Sequence, residues 1–579
     1  MTLLRPFSGQ EAPLRSRTHL AADVIVVVAV AVLFWVLIRL FHGVAAPFNS
    51  ASAPSSVSTD PADLPYYAAR SLLRMFIALV LSTAFTFVYA TAAARSRRAE
   101  KVMLPVLDVL QSVPVLGFLS VTLSMWLALF PHTELGLECA SIFAIFTSQV
   151  WNMTFSFYRS LTTEPHDLDE AARILRLTKW QRFYKLDVPN GMIPLVWNGM
   201  MSFGGGWFFL IASEVISVNN RTYALPGIGS YVAAASEREQ LGRLLLAVGV
   251  MIVMVVGVNV LFWRPLTAWV ERFRSGDTAS ADVQRSWTLD LLRHSVVPGL
   301  AGRALRPLGR GLDRATRPFG VAEHRLQTNQ TRRQMGDVVF ASVVTAVVAV
   351  GLWRMLAYID HSIGLSAYGT AFLVGLATFG RVVVIVVVGS IIWVPVGVWI
   401  GMNPKVTRIA QPVVQVLASF PANFLFPFFT LLLIDTGIPL NLGGIVLMAL
   451  GSQWYILFNV IAGASAIPND LREAATTLGL GRWMRWKTFI GPAVFATWVT
   501  GAITAAGGAW NASIVAEVVT YGHHTLTATG LGSYITEATA SGNFPKVLVG
   551  VSVMSVYVVG LNRLFWRRLD RLAENRYTL

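Results

Sequence analysis

Long runs of apolar residues recur along the whole sequence, and they restrict what this 579-residue chain can fold into. Each run approaches the roughly 20 apolar residues that an α-helix needs to cross a bilayer. Only 13% of the residues are charged, whereas soluble domains carry about 25%. These features predict an all-α integral membrane protein with about twelve transmembrane helices. The candidate spans lie near 22–42, 70–93, 104–130, 137–158, 188–216, 243–264, 337–357, 370–400, 410–434, 442–463, 491–518 and 546–566.

The loops between these runs alternate between basic segments and segments nearly free of positive charge. Cytoplasmic loops of membrane proteins carry an excess of Lys and Arg. The alternation therefore places both termini and the central linker on the cytoplasmic side of a multi-pass membrane protein, for which we expect the bacterial inner membrane. It also accounts for the net charge of +15 without a nucleic-acid partner. The basic segments are 95–101, 159–185, 264–335, 405–408, 472–487 and 563–576.

The same pattern divides the chain into five segments. The polar N-terminus leads into an apolar run without an evident cleavage site, which indicates a retained first span rather than a signal peptide. The linker is rich in arginine, and we interpret it as a solvated tether that can lie on anionic lipid headgroups. The segments are a cytoplasmic N-terminus, 1–21, a first membrane half, 22–266, the basic linker, 267–335, a second membrane half, 336–566, and a cytoplasmic tail, 567–579.

The two membrane halves are copies of one another. Glu170-Ala171-Ala172 recurs 303 residues later as Glu473-Ala474-Ala475, and the same register continues as far as Tyr231 and Tyr534. Upstream, Arg74 matches Arg381 at an offset of 307. Each half has six predicted spans, so both halves begin on the same side of the membrane. Such parallel repeats are related by an axis along the membrane normal and can enclose one path between them.

The repeated Glu-Ala-Ala segments lie in equivalent basic loops between the fourth and fifth spans. Each loop is predicted to form a short amphipathic helix, a break and a second short helix. A proline, Pro189 or Pro492, then opens the next span, because the first turn of a helix tolerates proline. Gly479 supplies the break in the second loop, whereas Arg176 stands at this position in the first.

These loops resemble the EAA motif of ABC importer permeases: Glu170, Ala171, Ala172 and Pro189 in the first copy, and Glu473, Ala474, Ala475, Gly479 and Pro492 in the second. Arg176 departs from the motif, and Gly491 replaces an apolar residue expected before the second proline. The resemblance implies a type I (MetI-like) importer permease fold. It also implies that each loop docks into an ATPase subunit, so that ATP and Mg²⁺ are bound by the partner and this chain carries no cofactor. Two ATPase copies and an extracytoplasmic solute-binding protein are the expected partners.

The segments that follow refine the resemblance. A Trp, a Glu seven residues later and a G-[IL]-G segment are similar to the nitrate, sulfonate and taurine branch of these permeases. Trp207, Glu214 and 227–229 fit this pattern in the first half, and Trp510, Glu517 and 530–532 fit it in the second. This likeness implies a small anionic substrate. Fused ferric-iron or thiamine permeases are the alternative within the same class.

Four ionisable residues inside predicted spans are candidates for the transport path: Arg74, Arg381, Glu214 and Glu517. Ionisable residues are costly within a bilayer and usually face a cavity or a partner. The two arginines could favour an anion at the outer mouth or extend to the outer headgroups. The two glutamates could act as gates, pair with the arginines or face water. Trp207 and Trp510 are candidate path residues too, although packing is the simpler interpretation.

Two other functional classes, an ion-coupled carrier and a membrane enzyme, fit the sequence less well. An ion-coupled secondary transporter can also have twelve spans in parallel halves, but it has no need of an ATPase-docking loop. A membrane enzyme is disfavoured because the sequence has no H-E-x-x-H, G-x-S-x-G or phosphate-binding G-x-x-x-x-G-K-[ST] motif. Cys139 is the only cysteine, which excludes a cysteine-based metal cluster.

Overall fold

The computed structural model describes residues 22–32, 54–113, 115–131, 133–218, 221–273, 287–316, 330–479 and 481–576. The predicted N-terminal segment 1–21 and residues 33–42 of the first predicted span lie outside these ranges. So do residues 274–286 and 317–329 of the predicted linker and the last three residues of the predicted tail.

The first half contains eleven described helices and one two-stranded hairpin. The helices are α1 (Ala22–Val32), α2 (Leu64–Arg95), α3 (Arg97–Ser112), α4 (Leu119–Leu129), α5 (Leu135–Thr162), α6 (His166–Ile174), α7 (Lys179–Arg182), α8 (Val188–Glu214), α9 (Ile228–Glu237), α10 (Leu241–Val258) and α11 (Arg264–Val270). The antiparallel hairpin joins β1 (Val215–Val218) to β2 (Arg221–Ala224), with Val215 opposite Ala224.

The linker and the second half supply the remaining elements. The helices are α12 (Trp287–His294), α13 (Val297–Thr316), α14 (Gln330–Ile363), α15 (Ser366–Gly401), α16 (Pro404–Ser419), α17 (Phe426–Thr436), α18 (Leu440–Ser452), α19 (Trp454–Ser465), α20 (Asn469–Thr477), α21 (Arg482–Arg485), α22 (Gly491–Ala516), α23 (Leu531–Ala540), α24 (Phe544–Leu561) and α25 (Arg567–Arg576). The second hairpin joins β3 (Val518–Tyr521) to β4 (His524–Thr527), with Val518 opposite Thr527.

The prediction of an all-α membrane fold in two halves is confirmed. Seven helices of the described residues are long and apolar enough to cross a membrane, and two bent pairs raise the number to nine if each pair is one span. The other three predicted spans correspond to α1, described over Ala22–Val32, to the interrupted helices α3 and α4, and to α5. The predicted spans 188–216 and 491–518 end slightly early, at Glu214 and Ala516, because the chain turns there into the two unpredicted hairpins.

The sequence repeat is reproduced element by element. Helices α6 to α10 begin 303 residues before α20 to α24, and the hairpins keep the same offset. Helix α3 (Arg97–Ser112) and α16 (Pro404–Ser419) keep the upstream offset of 307 at both ends. Even the irregular turns recur: a π-helical turn at Phe183–Asp187 corresponds to one at Trp486–Ile490. The repeat therefore extends to the backbone geometry of the helices.

One bent pair has an evident cause in the sequence. Helices α16 and α17 meet at 77°, with Pro421 directly after the break. Proline has no N–H to donate and its ring collides with the preceding turn, so a helix rarely continues through it. The short 3-10 helix Ala422–Leu425 follows, and its first-half equivalent is Val115–Phe118. These breaks bring the ends of α3 and α16 against a central cavity.

Candidate functional site

A cavity of about 540 Å³ lies between the two halves. Most of its wall comes from α5 and α8 of the first half and from α19 and α22 of the second. Equivalent positions of the two halves line it, as Trp151 and Trp454 do. The central lining residues are Ser148, Trp151, Asn152, Asn198, Met201, Ser202, Gly204, Gly205, Phe208 and Phe209 from the first half, and Gly451, Trp454, Tyr455, Asn459, Thr500, Thr504, Gly507, Gly508, Trp510, Asn511 and Ala512 from the second.

The two walls of this cavity differ in chemistry despite their common origin. Met201 and Phe208 on α8 correspond to Thr504 and Asn511 on α22 at the offset of 303. At these two positions the first half presents the bulkier and more apolar side chain, and the second half presents a hydroxyl or an amide group. Each wall contains two adjacent glycines, which contribute no side chain. A Cβ on Gly204 would lie 2.7 Å from the Ser419 hydroxyl, whereas a Cβ on Gly507 would meet no atom within 4 Å.

The polar groups of the lining are almost all uncharged. Among the described lining residues, Asp108 alone carries a formal charge, and it lies 3.3 Å from Arg567 at the surface. Three buried lining atoms have no hydrogen-bond partner within the described part of the chain: Trp510 Nε1, Asn511 Oδ1 and Ser202 Oγ. Because buried polar groups are nearly always satisfied, these atoms are available to a solute or to water inside the cavity.

The predicted path arginine of the first half lies in a buried ion-pair cluster and not on the cavity wall. Arg74 is 1% exposed. Its Nε and Nη2 each donate to Glu138 at 2.6 Å, and its Nη1 donates to Glu214 at 2.6 Å. Arg70 donates to the same Glu138 at 2.5 Å. Two arginines therefore balance two buried glutamates within the protein interior, which offsets the large cost of burying each charge. A third, partly exposed glutamate, Glu134, lies 3.8 Å from Arg70.

Glu214 also fixes the chain beyond its own helix. It accepts hydrogen bonds from the Ser71 hydroxyl at 2.5 Å and from the Gly229 backbone N–H at 2.6 Å. Arg74 in turn donates to the Pro226 carbonyl at 3.0 Å. The cluster thereby joins α2, α5 and α8 to the start of α9.

The second half contains a smaller version of the same cluster. Arg381 donates to Glu517 at 2.6 Å, and its Nη2 donates to the Asn441 side chain at 2.8 Å. Thr378 donates to Glu517 at 2.7 Å, in the place that Ser71 takes in the first half. The Gly532 N–H donates to Glu517 at 2.7 Å. One arginine balances one glutamate here, because Asn441 replaces Glu138 and Ala377 replaces Arg70.

Pairing between these arginines and glutamates is one of several interpretations that the sequence allows. The structure contains such an ion pair in each half, Arg74 with Glu214 and Arg381 with Glu517. The interpretation that Arg74 and Arg381 extend to the headgroups is wrong, since their exposures are 1% and 6%. Glu138 and Ser71 were missed. The repeat itself carried the signal for Ser71, because a hydroxyl residue, Thr378, stands 307 residues later.

The two predicted tryptophans are buried, at 1% and 2% exposure. Trp207 packs edge-on against Phe203, with ring centroids 5.6 Å apart. Trp510 stacks on Tyr557 at 5.7 Å and also borders the central cavity. Packing therefore accounts for Trp207, whereas Trp510 packs and lines the cavity at once.

The first Glu-Ala-Ala segment lies in the second half of α6. Glu170 and Ala171 face outward, and Ala172 is 3% exposed. The chain then turns at Arg176, which adopts the left-handed backbone conformation with φ of 46°. Thr178 and Gln181 form a reciprocal capping box that starts α7.

Helix α7 is tied back to α6 by charge. Arg182 on α7 forms ion pairs with Asp169 on α6 and with Glu164, the latter at 2.9 Å. Burial raises the pKa of the Glu164 carboxyl above its ordinary value, against the opposing effect of Arg182. These contacts hold the break between the two short helices at a fixed angle.

The second Glu-Ala-Ala segment, in α20, has the same exposure pattern. Glu473 and Ala474 face outward and Ala475 is 5% exposed. Gly479 provides the left-handed turn, with φ of 60°. Arg472 anchors the helix by donating to the Ala464 carbonyl at 2.8 Å and to the Met402 carbonyl at 3.3 Å.

Apolar side chains project from the tips of both loops. Ile174 and Leu175 are 81% and 69% exposed in the first loop, and Leu478 and Trp483 are 73% and 80% exposed in the second. Isolated exposed apolar residues are common, but grouped ones mark interaction surfaces. Two equivalent loops on one side of the protein thus present outward glutamates beside uncovered apolar groups.

Two helical halves around a shared cavity, each with an exposed loop of this kind, define a membrane transport component. The model of the family "Binding-protein-dependent transport system inner membrane component" matches residues 84–272 and 393–572, which together make up more than half of the chain. The chain belongs to this family, and it carries two copies of the family's domain.

Individual relatives are more distant. The nitrate import permease protein of Leptolyngbya laminosa is 26% identical over 188 residues, which cover 32% of this chain and 64% of the relative. The bicarbonate transport system permease protein of Synechococcus elongatus is 26% identical over 135 residues, covering 23% of this chain and 45% of the relative. A nitrate import permease protein of the latter organism is 24% identical over 209 residues, covering 35% and 68%. The alignments thus span less than two thirds of the length of the first two relatives.

Proposed function

We propose that this chain forms the solute path of an ATP-driven importer and that its two EAA loops dock separate ATPase subunits. The observation that carries the proposal is the equivalence of the two loops: the same outward glutamate, buried second alanine, left-handed turn and exposed apolar tip occur 303 residues apart. A partner that presents two identical grooves fits such a pair, as two ATPase copies would. In this arrangement the loops face the cytoplasm, where ATP is available, and both termini lie on the same side.

The cavity between the halves is the proposed path, and the substrate is proposed to be a small anion. The family branch and the names of the nitrate and bicarbonate relatives support this class. No Lys, Arg or His is among the described lining residues, so hydrogen bonds from uncharged groups such as Trp510 Nε1 would stabilise the anion. Selective passage needs binding that is weak enough to allow release, and neutral donors provide it. An extracytoplasmic binding protein would supply the affinity that the path lacks.

Measurements of the solute and of the partner distinguish two alternative functions. A fused ferric-iron or thiamine permease would share the loops and differ in its solute. An ion-coupled carrier would have no ATPase partner.

The first test is purification of the tagged chain in mild detergent, followed by mass spectrometry of co-purifying proteins. We expect an ATPase with a phosphate-binding loop to accompany the native chain and to be lost from the variant Glu170→Lys with Glu473→Lys. The matched control is Glu237→Lys with Glu537→Lys, which reverses two exposed glutamates on α9 and α23, away from the loops. The control should retain the ATPase. If the folded native chain brings no ATPase, an ion-coupled carrier becomes the better explanation.

A further inference from the structure

The linker helix α13 is fixed to the membrane-spanning body near both of its ends. At its start, Asp23 of α1 accepts hydrogen bonds from the Ser295 hydroxyl at 2.8 Å and from the Val296 backbone N–H at 2.7 Å. Asp23 lies in the first turn of an apolar helix, and therefore close to the point where that helix enters the membrane. The hydrogen bonds to Asp23 therefore hold the start of α13 close to the membrane surface.

The other end of α13 is held by the first EAA loop. The Tyr184 hydroxyl donates to Asp313 at 3.1 Å. Tyr184 lies in the π-helical turn that runs directly into the spanning helix α8. This contact also lies at the level where an apolar helix begins.

These two anchors determine how α13 lies. Val296 and Asp313 are separated by about 26 Å along a helix that rises 1.5 Å per residue. Both are attached to the starts of apolar helices, so the axis of α13 runs along the protein face that carries the EAA loops. A helix in this position lies at the boundary between the membrane and water.

The surface that α13 exposes suits that boundary. Leu300 and Leu312 are 54% and 48% exposed, and Arg303, Arg310 and Arg314 are exposed as well. At 100° per residue the three arginines occupy one narrow arc, of about 40°, with Leu300 about 60° from its centre and Leu312 on the opposite face. Exposed apolar groups next to a stripe of arginine are typical of helices that lie in an anionic lipid surface.

We propose that α13 is an interfacial helix that binds the anionic headgroups of the lipid leaflet on the side of the EAA loops. The arginines contact lipid phosphates while Leu300, beside them, inserts among the upper acyl carbons. Phosphate is the group that a cluster of arginines binds best. This proposal does not depend on what the protein transports or on whether an ATPase binds.

Lipid binding at α13 would act on one EAA loop and not on the other. Tyr184, which α13 contacts, packs against Trp180 with tilted rings and 6.0 Å between ring centroids. Trp180 is half-buried, whereas its equivalent in the second loop, Trp483, is 80% exposed. An α13 held in the leaflet would therefore order the first loop selectively.

The test is hydrogen–deuterium exchange of the full chain in lipid nanodiscs, read at residues 297–316. We expect exchange in discs containing phosphatidylglycerol to be at least about fivefold slower than in pure phosphatidylcholine discs. The variant Arg303→Gln, Arg310→Gln and Arg314→Gln should lose this difference while keeping the native rate in phosphatidylcholine, which shows that the helix itself is intact. The control variant Arg568→Gln, Arg571→Gln and Arg576→Gln removes three arginines from α25 and should keep the difference.

Two outcomes would overturn the proposal. One is exchange at 297–316 that does not depend on the lipid, or that depends on it equally in the triple variant. The other is protection by free inorganic phosphate in phosphatidylcholine discs to the same extent as by phosphatidylglycerol, which would mean an anion site without a membrane role.

Discussion

Arg176 and Gly479, 303 residues apart, adopt the same left-handed backbone conformation, with φ of 46° and 60°. This conformation suits glycine, whereas a residue with a Cβ is destabilised in it by about 1–2 kcal/mol. The first EAA loop therefore keeps the geometry of the second at an energetic cost. Arg182, through Asp169 and Glu164, supplies contacts that hold the strained turn.

The first prediction concerns this turn. Arg176→Gly should stabilise the protein by about 1 kcal/mol, because the strain is removed and the fold is kept. The apparent melting temperature in detergent should rise. Gly479→Arg is the matched control and should lower it. A fall in melting temperature for Arg176→Gly would mean that the Arg176 side chain makes contacts worth more than the strain.

The second prediction concerns the buried ion pair of the second half. Glu517→Gln should destabilise the protein by about 3–5 kcal/mol, because Arg381 is left as an uncompensated buried charge. Arg381→Met combined with Glu517→Gln should cost less than Glu517→Gln alone. Thermal unfolding followed by tryptophan fluorescence would measure both. Equal losses in the single and double variants would show that the charge pairing is not the dominant contribution.

The third prediction converts the first cluster to the composition of the second. Glu138→Asn alone leaves Arg74 paired with Glu214 and leaves Arg70 with the more distant, partly exposed Glu134, and should destabilise by about 3 kcal/mol or more. Adding Arg70→Ala restores neutrality and should recover most of the lost melting temperature. The double variant reproduces the Ala377 and Asn441 combination that the second half already uses. An additive loss in the double variant would contradict this explanation.

The fourth prediction concerns the cavity. Trp510→Phe keeps an aromatic six-membered ring but removes the unpartnered indole N–H. It should raise the KM for transport by up to about tenfold, because one hydrogen bond to the solute is lost. Uptake into proteoliposomes would measure the change. Trp207→Phe is the control in the other half, because Trp207 is not among the residues that line the central cavity, and its KM should be unchanged. Unchanged KM for both variants would exclude the indole N–H as a solute contact.

The fifth prediction separates the equivalent tryptophans of the two EAA loops. Trp483→Ala should leave the melting temperature unchanged but weaken ATPase binding, because the side chain is 80% exposed. Trp180→Ala should lower the melting temperature, since Trp180 packs against Phe183 and Tyr184. Binding of the co-purified ATPase would be measured at several salt concentrations. Identical effects of the two substitutions would contradict the difference in exposure.

Sequence reasoning predicted the features that have a local or periodic signal. Each apolar run is largely helical over its described residues, and the EAA segments lie in the short helices α6 and α20 as expected. The hairpins were not predicted, because their first strands, such as Val215–Val218, continue the apolar run of the preceding span without a break in composition. A four-residue strand is too short for its alternating pattern to be distinguished there.

The ion-pair clusters and the cavity were only partly predictable for a different reason. Arg74 and Glu138 are 64 residues apart, and Arg74 and Glu214 are 140 apart. Residues this far apart produce no periodic pattern in the sequence. Only the repeat indicated that Arg74 and Glu214 have counterparts. Glu138 lacked an acidic counterpart and was missed. The cavity lining depends on how α5, α8, α19 and α22 cross, which no single segment specifies.

The unlike walls of the cavity have a consequence for a chain that carries both halves. In an assembly of two identical subunits, every lining residue would occur twice, so Phe208 would necessarily face a second Phe208. Covalent joining releases that constraint, and here Phe208 on one wall is matched by Asn511 on the other. A solute crossing this cavity therefore meets a different surface on each side. An asymmetric molecule can therefore be oriented within it, which a two-fold symmetric passage cannot do.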